Sequence, residues 1–194
     1  LRSSPVSGDG RIVAGSMDGS VYCLDYGGML QWKFRTGNGI EAPALLHGGK
    51  VYIGDLDGTL YCLDLRTGKK NWSYKADNQI SGSPNIWVSA ERTLVLFGSY
   101  DFYLHCLDAG TGELIWKYET DNFINGAAAC YQAKAFFGGC DGFLHVLDIM
   151  TGKQEKQIDV ATYIASSVAV SGDKAFIGDH DGRFSCIDLE NEKI

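Results

Sequence analysis

Residues 57–72 read DGTLYCLDLRTGKKNW, and this stretch decides the fold. It begins with the dipeptide Asp57-Gly58, a strong hairpin signal because glycine adopts positive φ without steric cost. A strand-like alternation of side chains follows, then the turn Thr67-Gly68, then a second alternation that contains Trp72. The stretch therefore predicts two β-strands joined by a tight turn and entered through another.

The same stretch recurs along the chain at a near-constant interval. The aspartate that ends its first strand recurs 39, 44, 40 and 40 residues apart, at Asp25, Asp64, Asp108, Asp148 and Asp188. A ladder of glycines keeps the same spacing, at Gly15, Gly54, Gly98, Gly138 and Gly178. Two ladders with one period indicate a repeated supersecondary unit, in which each repeat buries its apolar face on its neighbour.

Each period has room for four short strands, here called A to D, and shows no helical spacing. Four-stranded antiparallel units of about 40 residues are typical of β-propeller blades, with a period like that of WD repeats. The sequence predicts an all-β chain, a single propeller array over residues 1–194. About five blades are expected, with the last one incomplete, at residues 1–38, 39–78, 79–122, 123–162 and 163–194. The array is expected to be a segment of a larger ring or an open arc.

The repeat also resembles a known family, the pyrroloquinoline-quinone-like repeat of quinoprotein alcohol dehydrogenase-like propellers, and is closest to its non-catalytic members. The family motif is Ala-x-Asp-x-x-Thr-Gly-x-x-x-Trp, and its tryptophan docks between adjacent blades. The resemblance implies a structural docking set made of the motif tryptophans and glycines: Trp32, Trp72, Trp116, Gly28, Gly68, Gly112 and Gly152. The fourth repeat has Lys156 where the tryptophan is expected, which predicts a weaker contact there.

Cysteine holds the motif's alanine position in four repeats, at Cys23, Cys62, Cys106 and Cys186. Equivalent positions on packed sheets lie about 10 Å apart, beyond the reach of a disulfide. No Cys-x-x-Cys pair suggests zinc. We therefore expect these cysteines to be small, buried packing residues, unreactive in the folded protein.

No constellation of residues predicts catalysis. The four histidines share no metal-binding or nucleophile motif, and His105 and His145 simply occupy the same strand-C position. The adjacent Cys-Cys pair of the quinone-dependent dehydrogenases is missing. The residues expected to line the channel from strand A are small and neutral: Pro5, Ala42, Ala44, Ser81, Ser83, Ala127, Ala128, Ser166 and Ser167. We expect no enzyme, cofactor or metal, but a scaffold for protein interaction or assembly. The alternative is a small-molecule or quinone-binding propeller domain of an oxidoreductase or sensor.

Charge narrows the class of partner. The net charge of −7 argues against a nucleic-acid partner. The sequence has no run of 18 apolar residues, so it predicts no membrane-spanning helix. In a propeller the B–C turns and D–A loops share one face, where Asp57, Asp101, Asp141 and Asp181 predict a negative surface and a basic protein partner. Open terminal blades would expose apolar flanks and promote self-association. The family resemblance favours a periplasmic or extracellular location.

One connection departs from the common length. Four residues are added between strands A and B of the third repeat, in a stretch that contains Trp87 and Arg92. Loop insertions on a fixed scaffold often carry recognition residues, and tryptophan and arginine are enriched at interaction hot spots. Trp87 and Arg92 are therefore candidate interaction residues. The alternative is that Trp87 packs on its own blade.

Overall fold

The computed structural model describes residues 2–164 and 166–194, and every regular element in this part of the chain is a β-strand. The strands are β1 (Val6–Gly8), β2 (Arg11–Ser16), β3 (Ser20–Asp25), β4 (Leu30–Arg35), β5 (Leu45–His47), β6 (Lys50–Gly54), β7 (Thr59–Asp64), β8 (Lys70–Lys75), β9 (Asn85–Val88), β10 (Thr93–Gly98), β11 (Tyr103–Asp108), β12 (Leu114–Glu119), β13 (Ala129–Tyr131), β14 (Lys134–Gly138), β15 (Phe143–Asp148), β16 (Gln154–Asp159), β17 (Ala169–Ser171), β18 (Lys174–Gly178) and β19 (Phe184–Asp188).

The strands form five antiparallel sheets in chain order, numbered sheet 1 to sheet 5. Sheets 1 to 4 have four strands each, β1–β4, β5–β8, β9–β12 and β13–β16, and sheet 5 has the three strands β17–β19. Within each sheet consecutive strands are neighbours, which is the meander of a propeller blade. The predicted all-β propeller architecture is confirmed.

Strand A is the innermost strand. In three pairs of adjacent sheets the first strands lie beside one another, β1 with β5, β9 with β13 and β13 with β17. These strands begin later than the sequence suggested. Ala42 and Ala44 precede β5, and both are buried. Pro43 between them has no N–H to donate, so it cannot continue a strand ladder inward. The small residues expected to line a channel thus precede strand A, and Ala42 and Ala44 among them are buried.

The core is divided among the four contacts between adjacent sheets, which we call the first to fourth junctions. At the first junction, Val13 and Cys23 of sheet 1 pack with Val51 and Ile53 of sheet 2. The other three junctions hold corresponding clusters. Stability therefore depends on contacts between neighbours, as expected for a repeat array.

The glycine ladder has a packing cause at the end of strand B. A Cβ atom on Gly54 would overlap the side chain of Ile80, which lies in the D–A loop. The Ile80 amide donates to the Asp55 carbonyl oxygen at 3.1 Å, and this bond fixes the loop against the strand end. The same overlap recurs at Gly15 with Ile40, Gly98 with Ile124 and Gly138 with Ile164. Glycine is required there because the isoleucine side chain packs directly against the strand backbone.

Candidate functional site

A tryptophan from strand D closes each of the first three junctions. The indole Nε1 atoms of Trp32, Trp72 and Trp116 donate to backbone oxygens of the next sheet, those of Leu65, Ala109 and Ile149, at 2.9, 3.3 and 2.9 Å. Each indole lies on the glycine of the next sheet's C–D turn, Gly68, Gly112 or Gly152. A Cβ on Gly112 would lie 2.6 Å from Trp72 Cδ2. Gly28 shares their positive φ, but a Cβ there would meet nothing within 4 Å among the described residues.

The fourth junction is built differently. Lys156 occupies the tryptophan position, and its Nζ donates to the Leu189 carbonyl oxygen at 2.6 Å, which is the equivalent acceptor. Glu192 occupies the turn glycine's position with a φ of +56°, and its Oε1 lies 3.1 Å from Lys156 Nζ. An ion pair has thus replaced the packing of an indole on a glycine. The sequence pattern predicted the departure at Lys156 but not the one at Glu192, although Glu192 follows Asp188 by the same distance as Gly152 follows Asp148.

A groove of about 380 Å³ opens beside this ion pair, on the face of the A–B and C–D turns (the AB/CD face). Phe136, Val146 and Leu189 line its apolar part, and Lys134 and Lys156 are at its margin. The corresponding groove at the second junction stops at Tyr52 and does not reach the strand-C position or Trp72. Grooves of about 350 and 370 Å³ open at the second and first junctions as well, and the fourth-junction groove differs from them in its lining, which includes Val146 and Lys156.

The opposite face is formed by the B–C turns and D–A loops, and we call it the BC/DA face. Backbone hydrogen bonds tie the B–C turns of sheets 2 to 5 to the D–A loops that lead into those sheets. Leu56 N donates to Gly39 O at 2.9 Å, and Tyr100 N donates to Gln79 O at 3.0 Å. The same bond recurs from Cys140 to Phe123 and from His180 to Tyr163, both at 2.9 Å. Side chains on this face are consequently held on a fixed framework.

An aromatic cluster, Tyr100, Phe102 and Phe123, interrupts the regular pattern of the BC/DA face. Phe102 takes the turn position that is glycine in the other four sheets, with a φ of +76° and 38% of its surface exposed. The rings of Tyr100 and Phe123 stack with centroids 4.6 Å apart, and those of Phe102 and Phe123 are 5.2 Å apart. A bulky residue at positive φ costs about 1–3 kcal/mol, and such strain clusters at functional sites.

Two of the aspartates assigned to a negative surface are buried instead. The side chains of Asp101 and Asp141 are 4% and 2% exposed, and each contacts a histidine: His105 Nε2 at 3.0 Å and His145 Nε2 at 2.7 Å. The other ring nitrogen of His105 lies 3.2 Å from the Tyr74 hydroxyl of the preceding sheet. Burial alone would raise the pKa of Asp101, but the hydrogen bond and charge of His105 outweigh it and lower that pKa. The expectation of surface carboxylates was wrong here, because the histidine two positions into strand C draws the carboxylate inward.

The other two aspartates are exposed but partnered by basic groups. Asp57 Oδ2 lies 2.7 Å from Lys75 Nζ, and Asp181 Oδ2 lies 3.9 Å from Arg183 Nη1. Lys75 comes from strand D of its own sheet, and its long side chain reaches the B–C turn. These two turns of the BC/DA face therefore carry mixed charge, and not the negative surface that the sequence predicted.

The inserted connection forms a longer hairpin between β9 and β10. Trp87 pairs across the ladder with Leu94 and packs, partly buried, on the apolar cluster between sheets 3 and 4. Arg92 is exposed. Burial raises the pKa of Asp108, but hydrogen bonds from Thr111 and Gly110, together with the charge of Arg92, outweigh it and lower that pKa. The structure brings Trp87 to the inter-sheet core and leaves Arg92 at the surface.

The repeated cysteines separate into two groups. Cys23, Cys62 and Cys106 are buried as expected, whereas Cys186 on β19 is exposed, next to Phe184, which is 78% exposed. Burial raises the pKa of Cys106 to about 12. The expectation of burial was wrong for Cys186, because the described residues place no sheet over that side of β19. Cys130 and Cys140 are free thiols.

The part of the chain described, residues 2–164 and 166–194, contains no group of three His, Cys, Asp or Glu side chains placed to hold a metal ion. No helix in those residues is long and apolar enough to cross a membrane.

Comparison with known proteins supports a single family over the whole chain. The model of the family described as "Outer membrane protein assembly factor BamB" matches residues 1–194. The chain belongs to this family. The predicted resemblance to pyrroloquinoline-quinone-like repeat propellers is confirmed, since the repeats described above are those of this family.

Solved structures show the same fold at low sequence identity. BamB from Moraxella catarrhalis superposes with a TM-score of 0.82 at 22% identity, over 97% of this chain and 61% of the other. The computationally designed Ika8 protein superposes with a TM-score of 0.83 at 20% identity, over 96% of this chain and 58% of the other. The chain thus spans about three fifths of each of these structures. No curated protein matches the chain.

Proposed function

We propose that this BamB-family chain is a non-catalytic scaffold that binds a protein partner during outer-membrane protein assembly, in the periplasm. The observation that carries the proposal is the aromatic cluster of Tyr100, Phe102 and Phe123. Four of the five B–C turns use glycine, and the fifth holds a partly exposed phenylalanine in a strained conformation. Strain of this kind persists where the side chain has a use that outweighs its cost.

The surroundings of the cluster favour a partner with apolar and basic side chains. Asp77 and Asp121 are exposed in the two D–A loops that flank it. The Asp77 amide donates to Asp101 Oδ2 at 3.1 Å, and Thr120, next to Asp121, donates to the Phe102 carbonyl oxygen at 2.8 Å. Aromatic side chains bordered by carboxylates are suited to an arginine, through cation–π and ionic contacts.

The buried histidines support a non-catalytic role. Each His–Asp pair resembles the orienting half of a catalytic triad, but His105 and His145 are both only 1% exposed. Their second ring nitrogens face the hydroxyls of Tyr74 and Tyr118 in the preceding sheets. A substrate has no access to these imidazoles, so they act as inter-sheet hydrogen-bonding groups.

Photocrosslinking tests the proposal. A photoreactive phenylalanine analogue at position 102 of the full-length protein should form an adduct with one protein of outer-membrane assembly. The matched control carries the analogue at the exposed Lys69, on the AB/CD face, and should not. Equal labelling from both positions, or no adduct from position 102, would contradict the proposal.

The substitution Phe102→Gly provides the second arm. This substitution restores the glycine of the other turns, so the protein should remain folded. Its unfolding free energy should rise by about 1 kcal/mol, because relief of the backbone strain outweighs the loss of one aromatic contact. The same variant should bind the crosslinked partner at least tenfold more weakly. Unchanged binding by this stable variant would remove the aromatic cluster from the interface.

A further inference from the structure

The fourth junction lacks the indole that fills the other three, and the groove beside it remains accessible from the AB/CD face. We propose that this groove binds a tryptophan side chain presented by a partner polypeptide. The inference rests on the proposed scaffold function and adds a second contact, on the face opposite the aromatic cluster. Three internal sites show how an indole binds in this setting.

At the fourth junction, the backbone oxygen equivalent to the one that accepts the indole N–H elsewhere can accept a further hydrogen bond. At the second junction the Ala109 oxygen accepts from both Trp72 Nε1, at 3.3 Å, and the Tyr52 hydroxyl, at 3.1 Å. At the fourth junction Phe136 replaces Tyr52, and Lys156 Nζ is the single donor to the Leu189 oxygen among the described side chains. A carbonyl oxygen has two lone pairs, so the Leu189 oxygen can accept an incoming indole N–H.

The walls of the groove suit a planar ring. Phe136 takes the position of Tyr52, whose ring centroid lies 5.9 Å from that of Trp72. Val146 replaces the cysteine beneath the indole and lines the groove. The volume of about 380 Å³ falls within the range of small-ligand pockets, roughly 300–1,000 Å³.

Charged groups border the groove, since Asp173 and Glu190 line it together with Lys134 and Lys156. Glu192 holds the Lys156 ammonium at 3.1 Å, on the side of the C–D turn. Glu155 holds the Lys134 ammonium at 2.5 Å on the opposite margin. A ring that packs against either ammonium group gains a cation–π contribution. Tryptophan fits best, because it combines the planar ring with the N–H donor that the Leu189 oxygen requires.

A fluorinated peptide probe tests the inference directly. Acetyl-Gly-(5-fluoro-Trp)-Gly-amide, titrated with the unaltered chain and followed by fluorine NMR, should bind saturably with a Kd on the order of 1 mM. The double variant Lys156→Trp/Glu192→Gly rebuilds the residues of the other junctions and fills the groove. It should bind the probe at least tenfold more weakly, while Lys69→Ala on the same face should bind it unchanged.

The outcomes separate this inference from the proposed function. Absence of saturable binding at about ten times the expected Kd would overturn the groove assignment. Equal binding by the double variant, or by a 4-fluoro-Phe peptide that has no indole N–H, would overturn it too. None of these results depends on the partner, so the crosslink at position 102 is tested independently. If the crosslink at position 102 were absent while the peptide still bound, the proposed function would be contradicted and the groove assignment would stand.

Discussion

The carboxylate of Glu192 lies 3.1 Å from the ammonium of Lys156, at the two positions where the other junctions place a glycine and a tryptophan. Lysine at the tryptophan position or glutamate at the glycine position, each without the other, would destabilise the junction. A tryptophan over Glu192 would meet a side chain where it needs a flat surface, and a lysine over glycine would lack its counter-ion. The two residues, 36 positions apart in the sequence, form one unit of structure.

Replacing both residues should stabilise the array. Lys156→Trp/Glu192→Gly should raise the unfolding free energy by about 1–3 kcal/mol, since burial of a tryptophan exceeds the ~0–1 kcal/mol of a partly exposed ion pair. The stability of the unaltered chain should also fall more steeply with added salt than that of the double variant, because salt screens exposed pairs. Urea melts at low and high salt measure both effects. A double variant less stable than the unaltered chain would show that the fourth junction cannot receive an indole.

Two glycines provide a matched test of tryptophan docking. Gly112 and Gly28 have φ of +78° and +82°, so alanine meets the same backbone strain at either. Only Gly112 lies under an indole, where the new Cβ would be 2.6 Å from Trp72 Cδ2. Gly112→Ala should therefore cost about 1–3 kcal/mol more than Gly28→Ala in denaturant melts. Equal losses would mean that the indole does not depend on the glycine surface.

Thiol labelling should distinguish the cysteines. Burial raises the pKa of Cys106 and of Cys130 to about 12, so neither forms a thiolate near neutral pH. Cys186 is exposed and should react rapidly in the native protein. Mass spectrometry after brief alkylation should find Cys186 modified and Cys106 and Cys130 protected until denaturant is added. Rapid native labelling of Cys106 would contradict its place in the core.

Turn aspartates should make the protein sensitive to acid. Hydrogen bonds from the Thr151 side chain and backbone, at 2.7 and 2.8 Å, hold the pKa of Asp148 below its usual value. A lowered folded pKa gives stability that is present above the unfolded pKa and is lost as pH falls through the folded one. Asp148→Asn should therefore be less stable near neutral pH, and should lose less stability than the unaltered chain between about pH 4 and pH 2. If the unfolding free energies of the two proteins fell equally over this pH range, Asp148 would make no such contribution to stability.

The periodic features of the fold were predictable from sequence. Tight turns at Asp57-Gly58 and Thr67-Gly68 have local causes, and their repetition gives the blade. The first residue of strand A was misplaced because Pro43 stops the ladder, and an apolar run does not show which backbone amides are available. The cause of the Gly54 ladder was hidden as well, since its partner Ile80 belongs to a loop that is distant in sequence.

The candidate site was predicted less well, because its features depend on contacts between repeats. Asp101 and Asp57 are both turn aspartates in the sequence. What separates them is the residue four positions later, His105 in one case and Tyr61 in the other. The role of Glu192 is recognisable only when its position is aligned with that of Gly152 in the preceding repeat. A departure from the repeat therefore has to be examined together with the position that it contacts in the next sheet.

Each tryptophan points in the same direction, from strand D of one sheet to the C–D turn of the sheet that follows. A single repeat thus encodes both halves of the junction, the indole for the sheet after it and the glycine for the indole before it. Such a unit can be duplicated in tandem, and the copies will dock on each other without further substitution. The Lys156–Glu192 pair removes this freedom for sheets 4 and 5. A copy of sheet 4 placed elsewhere would bring a lysine against a turn glycine, and a copy of sheet 5 would bring a glutamate against a tryptophan. These two sheets therefore have to be duplicated together, as neighbours.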